Sequence, residues 1–247
     1  MLRVRPIITT PRVPEMRRLL EALGLVVTDG GADAHGPWLV LDAGHGRVAL
    51  REAHEPRHSV AFAVEVRDPE TFARRTVDDG GAAALVHDGD EPPFGAERTD
   101  APWVRIEGPD GFSFRADPTT HGATSADADP RLTVRMAWLT PDVLGAAATL
   151  RAIGARPRDA SGTVGEGAEF VAKNGGVLVV AAAEAAASGG LAFEYDGDLA
   201  PLADRLAATG ARVSATSRGL TVSAPDGSSI AVIGVTHAAT EPYAVEQ

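Results

Sequence analysis

The chain has 247 residues, 44% of them hydrophobic and 23% charged, the balance of an ordinary globular protein. A formal net charge of −11 with scattered arginines leaves no concentrated basic surface, which argues against a nucleic-acid partner. Cysteine is absent, so neither a disulfide framework nor a thiolate metal site can form. No apolar run approaches the length of a membrane span, and Met1-Leu2-Arg3-Val4-Arg5-Pro6 lacks the apolar stretch of a signal peptide, so a cytoplasmic protein with no membrane partner is expected.

Residues 2 to 9 read as a strand. From Val13 to Leu23, apolar residues at 13, 16, 19, 20 and 23 keep helical spacing, and Pro14 is acceptable in a first turn. Strand-like runs follow at Leu25 to Thr28, Trp38 to Asp42 and Arg47 to Ala53, separated by turns such as Ala43-Gly44-His45-Gly46. This unit, βαβββ, recurs from Ser59. A strand runs to Val66, a helix from Phe72 to Asp79 is capped by Asp68 and stopped by Gly80-Gly81, and strands follow at Ala83 to Val86, Trp103 to Glu107 and Phe112 to Ala116.

The second half repeats the scheme. Leu132 to Leu139 is a strand; Pro141 to Ile153 is a helix capped by Thr140 and ended by Gly154. Phe170 to Ala172 and Val177 to Ala182 are strands around the Asn174-Gly175-Gly176 turn. Leu191 to Tyr195, a helix at Leu199 to Ala208, and strands at Ala211 to Ala215, Leu220 to Ser223 and Ser229 to Ile233 complete it. Between the halves, the small polar residues from Pro118 to Pro130 suit an exposed connector. Asp127 and Asp129 there fall short of a Ca²⁺ ligand set.

Landmarks recur in the same order. Gly108-Pro109-Asp110-Gly111 returns as Ala224-Pro225-Asp226-Gly227, and Leu20-Glu21-Ala22-Leu23-Gly24 as Leu150-Arg151-Ala152-Ile153-Gly154. The offset is about 130 residues, dropping to 116 in the last strands because the first half has extra residues around Gly89 to Asp100. The reading is a tandem duplication of an α+β unit, each half with a core of its own: residues 1–118, a linker at 119–130, residues 131–236 and a tail at 237–247.

Paired βαβββ modules ending in a Pro-Asp-Gly turn resemble the vicinal oxygen chelate superfamily, which includes glyoxalase I, bleomycin-resistance proteins and extradiol dioxygenases. The resemblance spans residues 2 to 236 and implies that each pair of modules joins its sheets as a cup with helices outside. It also implies a divalent metal held by His or Glu on three cup-facing strands. Those positions fall on Val4 and Val134 in the first strands, Ser59 and Gly190 in the fifth, and Arg115 and Ala231 in the last. None can ligate a metal, so no metal and no cofactor are expected, and Lewis-acid catalysis loses its agent.

Other chemistry is thin. His54-Glu55-Pro56-Arg57-His58 matches the zinc motif that needs a helix, but Pro56 and the flanking strand patterns oppose one. His58 neighbours the fifth-strand position and is expected to point away from the cup if Ser59 points in. Gly162 to Gly167 lacks the Lys-Ser/Thr of a phosphate loop, and there is neither a Gly-x-Ser-x-Gly elbow nor a nucleophilic cysteine.

Strand alternation from Ser59 and Arg115 assigns Ala61, Ala63, Glu65 and Ser113 to the first cup, with Trp38 and Trp103 lining it. The second cup receives Met136, Trp138 and Glu194. Trp38, Ser59, Glu65, Trp103, Ser113, Arg115, Met136, Trp138 and Glu194 are therefore the candidate ligand-binding residues; each Trp or Met also has the plain role of filling a core. The expected function is metal-independent binding of a small aromatic or drug-like molecule, as monomer or homodimer, with Arg115 meeting an anionic or carbonyl group. The alternative is a glyoxalase-like lyase, isomerase or dioxygenase with a lost or relocated metal, using Glu65, Glu194 or His58 as general base. A third reading makes the second half, with its less polar cup, a support for the first.

Overall fold

The computed structural model describes residues 1–33, 36–53, 58–87, 102–119, 123–158 and 167–235. The segments 54–57, 88–101 and most of 162–167, which hold the zinc-like motif, the insertion and the glycine-rich loop, lie outside these.

The first module comprises β1 (Leu2–Val4), β2 (Ile7–Thr10), α1 (Val13–Leu23), β3 (Val26–Asp33), β4 (Gly36–Asp42) and β5 (Arg47–Glu52). The second comprises β6 (Ser59–Ala61), β7 (Ala63–Val66), α2 (Pro69–Asp78), β8 (Ala82–Val86), β9 (Trp103–Glu107) and β10 (Ser113–Pro118). The third follows with β11 (Leu132–Thr140), α3 (Val143–Ala152), β12 (Arg156–Pro157), β13 (Gly167–Val171) and β14 (Val177–Ala182). The last adds β15 (Ala187–Ser188), β16 (Ala192–Tyr195), α4 (Leu199–Ala207), β17 (Val213–Thr216), β18 (Gly219–Ser223) and β19 (Ser229–Gly234).

In the second half the two modules share one sheet, β12-β13-β14-β11-β16-β19-β18-β17, with β15 also paired to β11. In the first half the same array is split into β3-β4-β5-β2-β6 and β1-β7-β10-β9-β8. The split falls where Pro6 faces Phe62. Proline has no N–H for the ladder, so the expected strand 2–9 breaks into β1 and β2, and its partner 59–66 into β6 and β7.

Helix α1 buries Val13, Met16, Leu19, Leu20 and Leu23, the stripe that the spacing predicts, and ends on Gly24 in a left-handed conformation. Asp68 caps α2 by accepting from the Thr71 amide at 2.9 Å. Helix α3 differs from expectation: Asp142, not Thr140, is its cap, accepting from the Gly145 amide at 2.9 Å, while the Thr140 hydroxyl accepts from the Asp142 amide one turn earlier.

The halves do not have separate cores. One cluster of buried apolar residues runs from Leu2 and Val4 through the helices to Val134, Phe193 and Val232. Helix α1 packs on α4, α2 on α3, and β1 on β11. At the centre each half inserts a tight turn against the other's first strand. The Val134 amide donates to His45 O at 2.8 Å and the Val4 amide to Gly175 O at 3.0 Å. Gly46 (φ +100°) and Gly176 (φ +96°) make this approach possible, since a Cβ on Gly176 would lie 2.4 Å from the Val4 Cβ and one on Gly46 2.8 Å from the Val134 Cβ. The connector is also tied down. The Asp129 amide donates to Gly24 O at 2.9 Å, the Ser125 amide to Asp42 at 2.8 Å, and Ala128 is buried.

Gly176→Ala should therefore cost about 2–4 kcal/mol, combining overpacking with a left-handed backbone, whereas Gly80→Ala, where φ is also positive but the space is open, should cost about 1–2 kcal/mol. Urea denaturation of both variants measures the difference.

Candidate functional site

Alternation on the strands fixes what each cup contains. On β1, Leu2 and Val4 enter the shared core, leaving Arg3 and Arg5 on the cup face; on β11, Leu132, Val134, Met136 and Trp138 enter the core, leaving Thr133 and Arg135. Val4 and Val134 are thus not cup positions, and Met136 and Trp138 do not line the second cup. The expected first-strand assignment is off by one residue, and both valines are instead held against the opposite half's glycine turn.

The cup faces can be read rung by rung across the first, fifth and last strands. In the first half one rung is Arg5, Ala63 and Arg115, and the next is Arg3, Glu65 and Asp117. In the second half the corresponding rungs are Arg135, Ala192 and Ala231, then Thr133, Glu194 and Ile233. Glu65 and Asp117 are the one carboxylate pair on these rungs, and they do not face open space. Arg5 lies between them, 3.5 Å from Glu65 and hydrogen-bonded to Asp117.

Around Arg5 the first cup is a chain of buried ion pairs. Arg47 reaches Asp42 at 2.5 Å and Glu65 at 3.2 Å, Arg3 stands 3.7 Å from Glu65, and Arg115 binds Asp117 at 2.8 Å. Arg115 and Glu65 do not pair with each other. Burial, followed by the charge of Arg47, lowers the Arg3 guanidinium from its ordinary value, with Glu65 and Asp42 acting in the opposite sense. Trp38 packs with Ile7, Val40, Ala49 and Ala63 on the cup face, so it fills the cup.

The second cup repeats the device, and its less polar character is not observed. Arg135 bridges Glu169 and Glu194, and Arg158 reaches the same two carboxylates at 3.1 and 2.5 Å. Burial opposes ionisation of Glu169, but the hydrogen bond and charge of Arg135, with those of Arg158, hold its carboxyl below the usual range. Glu194 faces the cup as expected.

At the mouth of the first cup a cavity of about 280 Å³ is lined by Ala61, Trp103, Arg105, Phe112, Ser113 and Arg115, among others. The Arg115 guanidinium lies 4.5 Å from the Trp103 ring centroid, a cation–π contact. The structure thus brings Trp103, Ser113 and Arg115 together and adds Arg105, which alternation on β9 from Trp103 could have supplied. Ser59 and His58 are both exposed and line a different cavity, between the halves.

No protein-family model matches this sequence. No curated protein matches it either. Solved structures do. Homoprotocatechuate 2,3-dioxygenase from Arthrobacter globiformis is similar over 98% of this chain and 81% of its own, with TM-score 0.64 and 19% identity. The 2,3-dioxygenase LapB from Pseudomonas sp. KL28 is similar over 99% and 95%, with TM-score 0.65 and 15% identity. Homoprotocatechuate 2,3-dioxygenase from Brevibacterium fuscum, in complex with 3,4-dihydroxyphenylacetate, gives TM-score 0.63 at 17% identity. The chain has the two-cup fold of these extradiol dioxygenases, the fold that the repeated βαβββ pattern predicts.

The donor set does not fit the metal that the family resemblance implies. Among the described residues no three His, Asp or Glu side chains converge to hold an ion, and the metal-position rungs carry Arg5 and Arg135. Of the candidate general bases, Glu65 and Glu194 are held by arginines and His58 is outside the cup. No helix among these residues is long and apolar enough to cross a membrane.

Because its pKa is depressed on folding, Glu169 stabilises the fold above its unfolded pKa of about 4.3, and this contribution is lost as pH falls through the lower folded value. Glu169→Gln should be less stable than the wild type at pH 7, with the gap closing below about pH 4. Thermal denaturation across pH 3 to 7 reads the gap.

Proposed function

We propose that the protein is a metal-independent binder of a small planar anion, such as an aromatic carboxylate, built on the extradiol-dioxygenase fold from repeat units 1–118 and 131–236. The observation that carries this reading is the guanidinium of Arg5 between Glu65 and Asp117, repeated by Arg135 between Glu169 and Glu194. A tethered cation occupies the carboxylates that a dication would need. The ligand sits at the mouth of the first cup, against Trp103, with Arg105 and Arg115 meeting its charge and Ser113 its second oxygen.

A dioxygenase is the second reading, and the solved-structure neighbours favour it over a binding module, since those compared are dioxygenases matched along nearly the whole chain. Dialysis against Fe²⁺ or Mn²⁺, followed by metal analysis and a catechol ring-cleavage assay, separates the two. The proposal expects sub-stoichiometric metal, no cleavage, and saturable benzoate binding weakened about tenfold or more in Arg105→Ala. One retained ion per chain with ring cleavage would establish the second reading.

A further inference from the structure

Helix α1, the turn between α4 and β17, and the second Pro-Asp-Gly turn border a cleft of about 570 Å³. Arg12, Glu15, Arg18, Arg212, Ser223 and Gly227 are among the residues that line it. Three guanidiniums against the Glu15 carboxylate leave a formal charge of +2, on a chain whose net charge is −11. All three arginines are exposed, and none has an ion pair or a side-chain hydrogen bond among the described residues. Carboxylates are not scarce, since the chain has 34 Asp and Glu for 23 Lys and Arg, and the adjacent Arg17 pairs with Glu21 at 2.9 Å.

The duplication shows what the fold itself asks of these positions. Gly24 and Gly154 end the equivalent helices α1 and α3, and Gly80 and Gly210 follow α2 and α4. Arg12, Glu15, Arg18 and Arg212 therefore correspond to Asp142, Gly145, Ala148 and Ala82. In that counterpart Pro109 packs on Gly145, where a Cβ would lie 2.5 Å from its Cγ, and Asp142 caps α3. Glu15 in the place of Gly145 keeps the second turn from approaching α1 as closely, which accounts for the cleft. It does not account for the arginines. Arg12 stands at the N-cap of α1 with no side-chain cap, where the helix dipole already adds positive potential, whereas Asp68, Asp142 and Asp198 hold that position on α2, α3 and α4. Like charges gathered there repel one another, and an anion in the cleft relieves all of them.

We propose that this cleft binds a small soluble molecule through its phosphate groups, held between Arg12 and Arg18 of α1 and Arg212 of the second half. Guanidinium forks match phosphate oxygens in pairs, and several oxygens with more than one charge engage three guanidiniums where a lone carboxylate cannot. No aromatic residue lines the cleft, so it offers a planar ring none of the stacking that Trp103 provides in the first cup.

Inorganic pyrophosphate is the test probe, and benzoate, a carboxylate monoanion, its control. Titration of the full chain at low ionic strength, followed by amide chemical shifts, should show one saturable pyrophosphate site perturbing residues 12 to 18, 209 to 212 and 223 to 227. Benzoate should leave those residues unshifted. Arg18→Gln and Arg212→Gln, both at exposed positions, should each weaken pyrophosphate about tenfold. Glu15→Gln removes the opposing carboxylate and should tighten binding, which a purely structural Glu15 would not do. Absence of a saturable site, affinity unchanged in both arginine variants, or equal shifts with benzoate would overturn the proposal. Benzoate binding at the first cup, read through Arg105→Ala, is independent of these outcomes.

Discussion

The structure is organised around a guanidinium held between carboxylates. Burying Arg5 with Glu65 and Asp117 is expensive in desolvation, and such a pair is tolerable because every member is matched and the cups' strands hold the partners in register. That constraint explains why the first cup is crowded with arginines from β1, β5 and β10 and why its remaining opening lies at the rim. Arg135 repeats the solution from the equivalent strand of the second half, with Glu169 from β13 taking the part that Asp117 plays from β10.

The opposite faces of the same strands serve a different end. Val4 and Val134 meet the other half's glycine turns, and around that contact the four helices close a single apolar core. Neither repeat could be removed without exposing this surface, so the second half is structurally part of the first and not merely an accessory to it. The two central contacts are near copies, whereas the two Pro-Asp-Gly contacts have diverged, one closed by Trp138 and one open beside Ile8.

Much of this was legible in the sequence, and the exceptions have physical causes. The stripe of α1, the Asp68 cap and the doubled module order follow from local periodicity and capping chemistry. The facing of β1 and β11 did not, although Leu2 and Val4 alternate with Arg3 and Arg5. In an ordinary half-buried strand the arginines would face water, and only the carboxylates of β7 and β10 reveal that they face a cup. Counting from a helix-ending glycine then placed Val4 one residue out of phase, and Met136 and Trp138 inherited the error. Glu65, Glu194 and Arg115 were placed on the correct face because their strands were counted from neighbouring motifs. Arg105 was within reach of the alternation on β9, whereas the inter-half cavity depends on packing between modules, which no local pattern encodes.

The central claim is that Arg5 and Arg135 stand in for a metal. Crystals grown with excess Mn²⁺ and measured for anomalous scattering at long wavelength address it directly. The account predicts no ordered anomalous peak in either cup, with both guanidinium bridges intact. A peak between Glu65 and Asp117 or between Glu169 and Glu194, with the arginine displaced, would contradict it.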